Sequence, residues 1–324
     1  MVTANIDAVA KACEVSKATV SRVFAGKSGV GEAVRRRVIE TARALNYAPK
    51  QTAAQQDVAI VVSHYEGLFR AYTFFTNILA RLFAVFYREG VSFRLVDESQ
   101  AELLLPGYAK VALLFLEERP AAAAVAKLAA AKIPAVCVNQ VVAGAYAVCS
   151  DHAQGAALAV ERLLQAGHRK IGLLLDAPSW GSRERLRGYR ETLARHGVEP
   201  LPEQALREGR SVVEGLAAIR AQGATALLLE GESILEESVS MLNLLKVAVP
   251  DDMSVISCEK ERVSQWLNPP HTTVSQNPDD LCAAVLKLVQ DLAAGKRPAA
   301  KLTMLPSALV ERSSVKFLQN GGSK

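Results

Sequence analysis

Long apolar runs are missing from this chain of 324 residues; the longest span six or seven, as from Val111 to Leu116. A membrane-spanning helix needs about 20, so no membrane role is expected. The first residues carry neither a basic segment nor an apolar core, so no signal peptide is expected either. Cysteine is scarce: Cys13, Cys137, Cys149, Cys258 and Cys282 are odd in number, widely spaced and form no C-x-x-C pair. That pattern argues against a disulfide framework and points to the reducing cytoplasm.

The usual catalytic patterns are missing as well. His64, His152, His168, His196 and His271 fall in no H-E-x-x-H or paired metal spacing. No G-x-S-x-G elbow occurs, and the neighbours Asp151 and His152 behind a serine do not make a triad, which is defined by roles in space. Gly26-Lys27-Ser28 ends like a phosphate loop, but Ser21 stands where its first glycine belongs and a helix precedes it. Gly29-Val30-Gly31 lacks the third glycine of a dinucleotide fingerprint. The chain therefore reads as no enzyme, with no cofactor and no metal. His168, in a Gly-His-Arg step, reads as a residue that holds a loop.

What the chain does have is charge in one place. Residues 1–56 hold nine basic residues against four acidic ones, a surplus of five that equals the formal charge of the whole chain. A basic head on a neutral body suits a head that meets a polyanion. Within that head, Asn5 can cap a short helix with Ile6, Val9, Ala10 and Cys13 on one face. Ser16 can cap a second, Lys17 to Phe24, with Val20, Val23 and Phe24 inward and Lys17, Ala18, Ser21 and Arg22 outward. Gly26 ends it. A third helix, about Glu32 to Asn46, turns Val34, Val38, Ala42 and Leu45 inward and Arg35, Arg36 and Arg37 outward. This is helix-turn-helix architecture.

From Asp57 onward short apolar runs alternate with helical stretches. Strands are expected at Val58–Val62, Phe93–Val96, Val111–Leu116, Ala135–Val138, Ile171–Leu175, Ala226–Leu229 and Ser254–Cys258. Helices fit at Thr76–Glu89, Ala121–Ala131, Gln154–Gln165, Ser182–His196 and Val212–Gln222. Such alternation implies parallel sheet covered on both faces, in one large sheet or two smaller ones.

The stretch Val9-Ala10-Lys11-Ala12-Cys13-Glu14-Val15-Ser16-Lys17-Ala18-Thr19-Val20-Ser21-Arg22-Val23, with Tyr47-Ala48-Pro49 after it, resembles the head of the lactose/galactose repressor (LacI/GalR) family. Glu14 departs from the family's turn glycine; a left-handed backbone there costs a side chain about 1 kcal/mol. Further matches run through the body: Ser150-Asp151 with Gly155, Gly167-His168-Arg169, Arg185 with Gly188-Tyr189, Val249-Pro250 through Ile256, Pro269-Pro270 through Val274, and Leu305-Pro306 through Ser313. The likeness is thinnest between about 63 and 147.

The resemblance implies an all-α helix-turn-helix head over residues 1–56, with a degenerate hinge, and an α/β periplasmic-binding-protein-like body of two lobes with parallel sheets over 57–324. One lobe would hold about 57–147 and 272–302, the other about 148–271 and 303–316. It implies a sequence-specific transcription regulator, a homodimeric repressor on a near-palindromic double-stranded DNA operator. Its DNA contacts would be Ser16, Lys17, Ala18, Thr19, Ser21 and Arg22. Lys17 and Arg22 are suited to guanine, while Thr19 and Ser21 suit phosphates. A small-molecule effector, such as a sugar or other small metabolite, would sit between the lobes against Phe74, Phe75, Arg185 and Glu259. A protein partner in place of a metabolite is the alternative controller. The hinge departs from the family: Gln56 stands where a leucine wedge belongs, and the linker before the strand is shorter, so less operator bending is expected.

Overall fold

The computed structural model describes residues 5–24, 29–45, 47, 56–63, 74–98, 109–176, 178–205, 211–231, 234–258 and 263–318. The head folds as three helices, α1 (Ile6–Ala12), α2 (Lys17–Phe24) and α3 (Glu32–Ala44). The Asn5 side chain accepts the Ala8 amide at 3.0 Å, satisfying one of the donors that a helix start leaves open. Val9, Ala10, Cys13, Val20, Val23, Val38, Ile39, Ala42 and Tyr47 form one small core. Phe24 and Tyr47 close its edge at 5.7 Å between ring centroids. Gly26 and most of the hinge lie outside the described residues. Gln56 is already strand: it opens β1 (Gln56–Val62), opposite Ala109.

Among the described residues the body carries two six-stranded sheets. The first runs in the order β11-β5-β4-β3-β1-β2, with β2 (Phe93–Asp97), β3 (Ala109–Phe115), β4 (Ala135–Val138), β5 (Tyr146–Ser150) and β11 (Leu302–Leu305). The second runs β12-β10-β9-β8-β6-β7, with β6 (Ile171–Leu175), β7 (Gln204–Ala205), β8 (Ala226–Glu230), β9 (Ser254–Cys258), β10 (Thr272–Ser275) and β12 (Ala308–Val310). β1 lies parallel to both β2 and β3, and β6, β8 and β9 are parallel in succession. The helices between them are α4 (Phe74–Arg88), α5 (Glu118–Ala130), α6 (His152–Gln165), α7 (Trp180–Arg195), α8 (Val212–Ala221), α9 (Leu235–Leu244) and α10 (Pro278–Ala293). Among the described residues no helix is long and apolar enough to cross a membrane.

Two compact units divide the chain, one of residues 1–70, 82–147 and 285–301, the other of 71–81, 148–284 and 302–324. The expected return to the first lobe at 272 does not occur there. Thr272–Ser275 is β10, parallel to β9 and antiparallel to β12. Five strands escape the hydropathy pattern: β5, β7, β10, β11 and β12. β7 and β12 are only two and three residues long, and all of β11 except its last residue is exposed. Short edge strands leave little periodic signal.

The family-like motifs of the second unit turn out to fix the fold. Asp151 caps α6 by accepting the Gln154 amide at 2.9 Å, and a side chain at Gly155 would meet Val274 at 2.9 Å. Tyr189 is fully buried and donates to the Ile171 carbonyl at 2.7 Å, tying α7 to β6. Arg312 donates to the His271 carbonyl at 2.7 Å and Thr273 Oγ1 at 2.9 Å, while Ser314 bridges the Thr272 amide and the Val255 carbonyl. His168 is buried; its ring nitrogens meet Thr225 Oγ1 and Ser254 Oγ, each at 2.9 Å. Burial holds its pKa below the usual value, so it works as a neutral staple.

Gly188 sets the approach of α7 to α6. A Cβ there would stand 2.1 Å from the Ala153 carbonyl oxygen, a backbone atom that cannot swing aside. Gly188→Ala should therefore destabilise the second unit by about 3 kcal/mol through overpacking. A urea melt of the variant with an unchanged midpoint would show that the two helices can part freely.

Candidate nucleic-acid interface and ligand site

In the head, Ser16 caps α2: its hydroxyl accepts the Thr19 amide at 3.0 Å and lies 2.9 Å from Thr19 Oγ1. Both hydroxyls thus hold the helix start as well as facing outward. Lys17, Ala18 and Arg22 are exposed and Ser21 is half-buried, so the described side of α2 opposite Val20 and Val23 is polar and open. Lys17 is ion-paired with Asp7 of α1. Arg36 and Arg37 are exposed as expected, but Arg35 is half-buried and donates to the Val23 carbonyl at 3.5 Å. At the turn, Glu14 has φ of 51°, the left-handed conformation for which glycine is the natural residue. Three short helices holding a basic, solvent-facing helix can lay that helix in a major groove.

The second polar cluster gathers at the carboxyl end of the second sheet, where parallel sheets present their loops. Arg185, on α7, reaches back so that its Nε lies 2.9 Å from Oε2 of Glu230, the last residue of β8. Glu230 is 2% exposed and Arg185 14%, so the pair works in low dielectric and screening is weak. Cys258, ending β9, donates its thiol to the same oxygen at 3.2 Å. The other oxygen, Oε1, is buried with no hydrogen-bond partner. Burial raises the Glu230 pKa, while Arg185 and the Cys258 thiol pull against that rise.

Around the pair stand His152 and Trp180, edge to face at 5.5 Å, at the first residues of α6 and α7. Burial, reinforced by the Arg185 charge, drives the His152 pKa well below the usual value, so its ring is neutral. Gly181 lets these groups close in: a Cβ there would lie 3.1 Å from Arg185 Nη1 and 3.2 Å from His152 Nε2. Gly231 follows Glu230 directly in the chain. Its φ is 153° and a Cβ would fall 2.5 Å from the Asp176 Cβ, so the backbone and Asp176 together admit only glycine.

Of the four residues expected to face a ligand, Arg185 lies in this cluster. Phe74 and Phe75 pack edge to face at 6.1 Å in the first turn of α4. Glu259, one residue past β9, lies outside the described residues. Glu230, His152 and Trp180 were missed as site residues. One signal could have found Glu230: it is the charged residue that closes an otherwise fully apolar parallel strand. Among the described residues no group of three His, Cys, Asp or Glu side chains could hold a metal ion.

Residues 5–50 match the family of bacterial regulatory proteins of the lacI type, and residues 160–315 match the periplasmic binding protein-like domain. The head is that of the LacI family of bacterial regulators. The chain is 29% identical over 336 residues to the transcriptional regulator GalR of Escherichia coli K12, covering 96% of each chain. Its fold is that of the Lac repressor dimer solved with operator and the anti-inducer ONPF, with a TM-score of 0.69 at 23% identity, over 97% of this chain and 100% of that one. It is equally that of the CelR–cellobiose complex, with a TM-score of 0.70 at 24% identity, over 96% of this chain and 99% of that one. It is a DNA-binding transcription regulator and not an enzyme.

Within this regulator the Arg185–Glu230 pair is a structural commitment. Removing one partner of a buried pair strands the other, at a cost of about 3 kcal/mol or more. Glu230→Ala should lower stability by that amount, and Glu230→Gln, which keeps hydrogen-bonding atoms beside Arg185, by less. Urea denaturation that ranks the two variants equally would show that charge pairing contributes nothing here.

Proposed function

We propose that this protein is a homodimeric repressor that binds a near-palindromic operator and whose DNA affinity is modulated by a small molecule held at the carboxyl end of the second sheet. The observation that carries the reading is the open face of α2, where Lys17, Ala18 and Arg22 stand exposed at the front of a capped recognition helix. Arg22 presents a fork of donors that fits guanine O6 and N7, and Lys17 fits the same acceptors as a point charge. Ser16, Thr19 and Ser21 fix orientation through phosphates. Two such heads, related by a twofold axis, meet two half-sites.

The effector reading rests on the buried cluster. Arg185 has donors beyond the Nε that Glu230 engages, and polar groups converge beside the Trp180 ring, as ligand sites require. Phe74, Phe75 and Glu259 complete the proposed set. The structural neighbour CelR, solved as a cellobiose complex, supports a metabolite as controller.

Two measurements test the reading. Arg22→Ala should weaken operator binding by about 1–3 kcal/mol while barely changing affinity for random DNA; equal losses on both would make Arg22 a phosphate contact. A thermal-shift screen with sugars, nucleosides, amino acids and their phosphates should find a stabilising ligand. Arg185→Lys keeps the charge opposite Glu230 but loses the planar fork. It should abolish that shift and leave operator affinity intact, whereas an undiminished shift would place the ligand elsewhere.

A further inference from the structure

Lys17 is the first residue of α2, where the helix dipole is positive and a cation is disfavoured. Its counter-charge comes from another helix: Asp7, in the first turn of α1, pairs with its ammonium. Both side chains are more than half exposed, 64% and 52%, so the pair lies open on the surface that carries the base-reading residues. A carboxylate on that surface repels every phosphate it faces and weakens binding to DNA in general. It is favourable only where DNA offers a hydrogen-bond donor, and in the major groove those donors are the exocyclic amines of cytosine and adenine.

Resting on the DNA-binding reading above, we propose that Asp7 and Lys17 read one G·C base pair as a unit, which makes Asp7 a specificity-determining residue contributed by the first helix. The match is geometric. In a G·C pair, guanine N7 and O6 and then cytosine N4 lie side by side across the major groove, in the order acceptor, acceptor, donor. O6 and N4 are partners in a hydrogen bond, so they stand about 3 Å apart. An ammonium and a carboxylate oxygen in direct contact span that same distance. Lys17 therefore donates to O6 and N7 while Asp7 accepts from N4. An A·T pair alternates acceptor, donor, acceptor, so it never gives the ammonium two adjacent acceptors. Because the two charges come from different helices, their order across the groove also fixes which strand carries the guanine. Lys17 alone has no such restriction, since it can donate to any N7, O6 or O4 within reach.

The test is selection from a library of randomised DNA duplexes by the full chain and by Asp7→Ala, Asp7→Asn and Lys17→Ala. The wild-type protein should select a fixed G·C pair that Lys17→Ala no longer demands. At that pair alone, Asp7→Ala should relax the preference, discrimination falling about tenfold, while affinity for random duplexes rises at low salt. Asp7→Asn, which keeps an acceptor oxygen and the side-chain shape, should retain part of the preference. A merely structural Asp7, offsetting the Lys17 charge at the helix start, would change melting temperature or affinity on every sequence alike. Unchanged base preference in Asp7→Ala at all positions overturns the proposal. A wild-type protein that selects no sequence at all overturns the DNA-reading function itself, and the proposal with it.

Discussion

Coverage of a parallel sheet on both faces is the constraint from which most of this molecule follows. β6, β8 and β9 are buried along their whole length, so their side chains must be apolar or satisfied within the protein. Chemistry is thereby confined to the strand ends. Glu230 stands at such an end, and its burial is tolerable because Arg185 and Cys258 engage one of its oxygens. The same pressure accounts for His168, whose two ring nitrogens both find hydroxyl partners, and for Ser314, which satisfies backbone groups of two strands at once.

A second consequence concerns the arginine that the family resemblance marks as a ligand anchor. It is held by a buried carboxylate before any ligand arrives. That holds its fork in one orientation, which would lower the ordering cost of binding the proposed effector. It also neutralises the arginine's charge, so the site is not an unbalanced anion trap. Gly231 belongs to the same arrangement, for the strand end curls where Asp176 approaches and leaves no room for a side chain.

The head works under the opposite constraint. Its core is small, and its stability leans on local devices: the Asn5 and Ser16 caps, the Phe24–Tyr47 contact and a turn at Glu14. Glu14 accepts left-handed backbone strain at that turn, since the chain reverses there whichever residue occupies it. The exposed side of α2, with Lys17, Ala18 and Arg22, is left free to face DNA.

How much of this was legible beforehand divides along the range of the forces involved. The amino-acid sequence by itself determined the three head helices, the Asn5 and Ser16 caps and, Arg35 apart, the inward and outward faces, because helical periodicity and capping act over three or four residues. It also determined that α2 would present Lys17, Ala18 and Arg22, and that the body would alternate strand and helix. Only the tertiary structure decided that Thr272–Ser275 joins the second sheet, since a short strand of neutral pattern pairs with either sheet equally well. Only the tertiary structure paired Arg185 with Glu230 and Lys17 with Asp7. Those partners lie on different elements, and nothing local to either residue specifies which distant charge the fold will bring within reach.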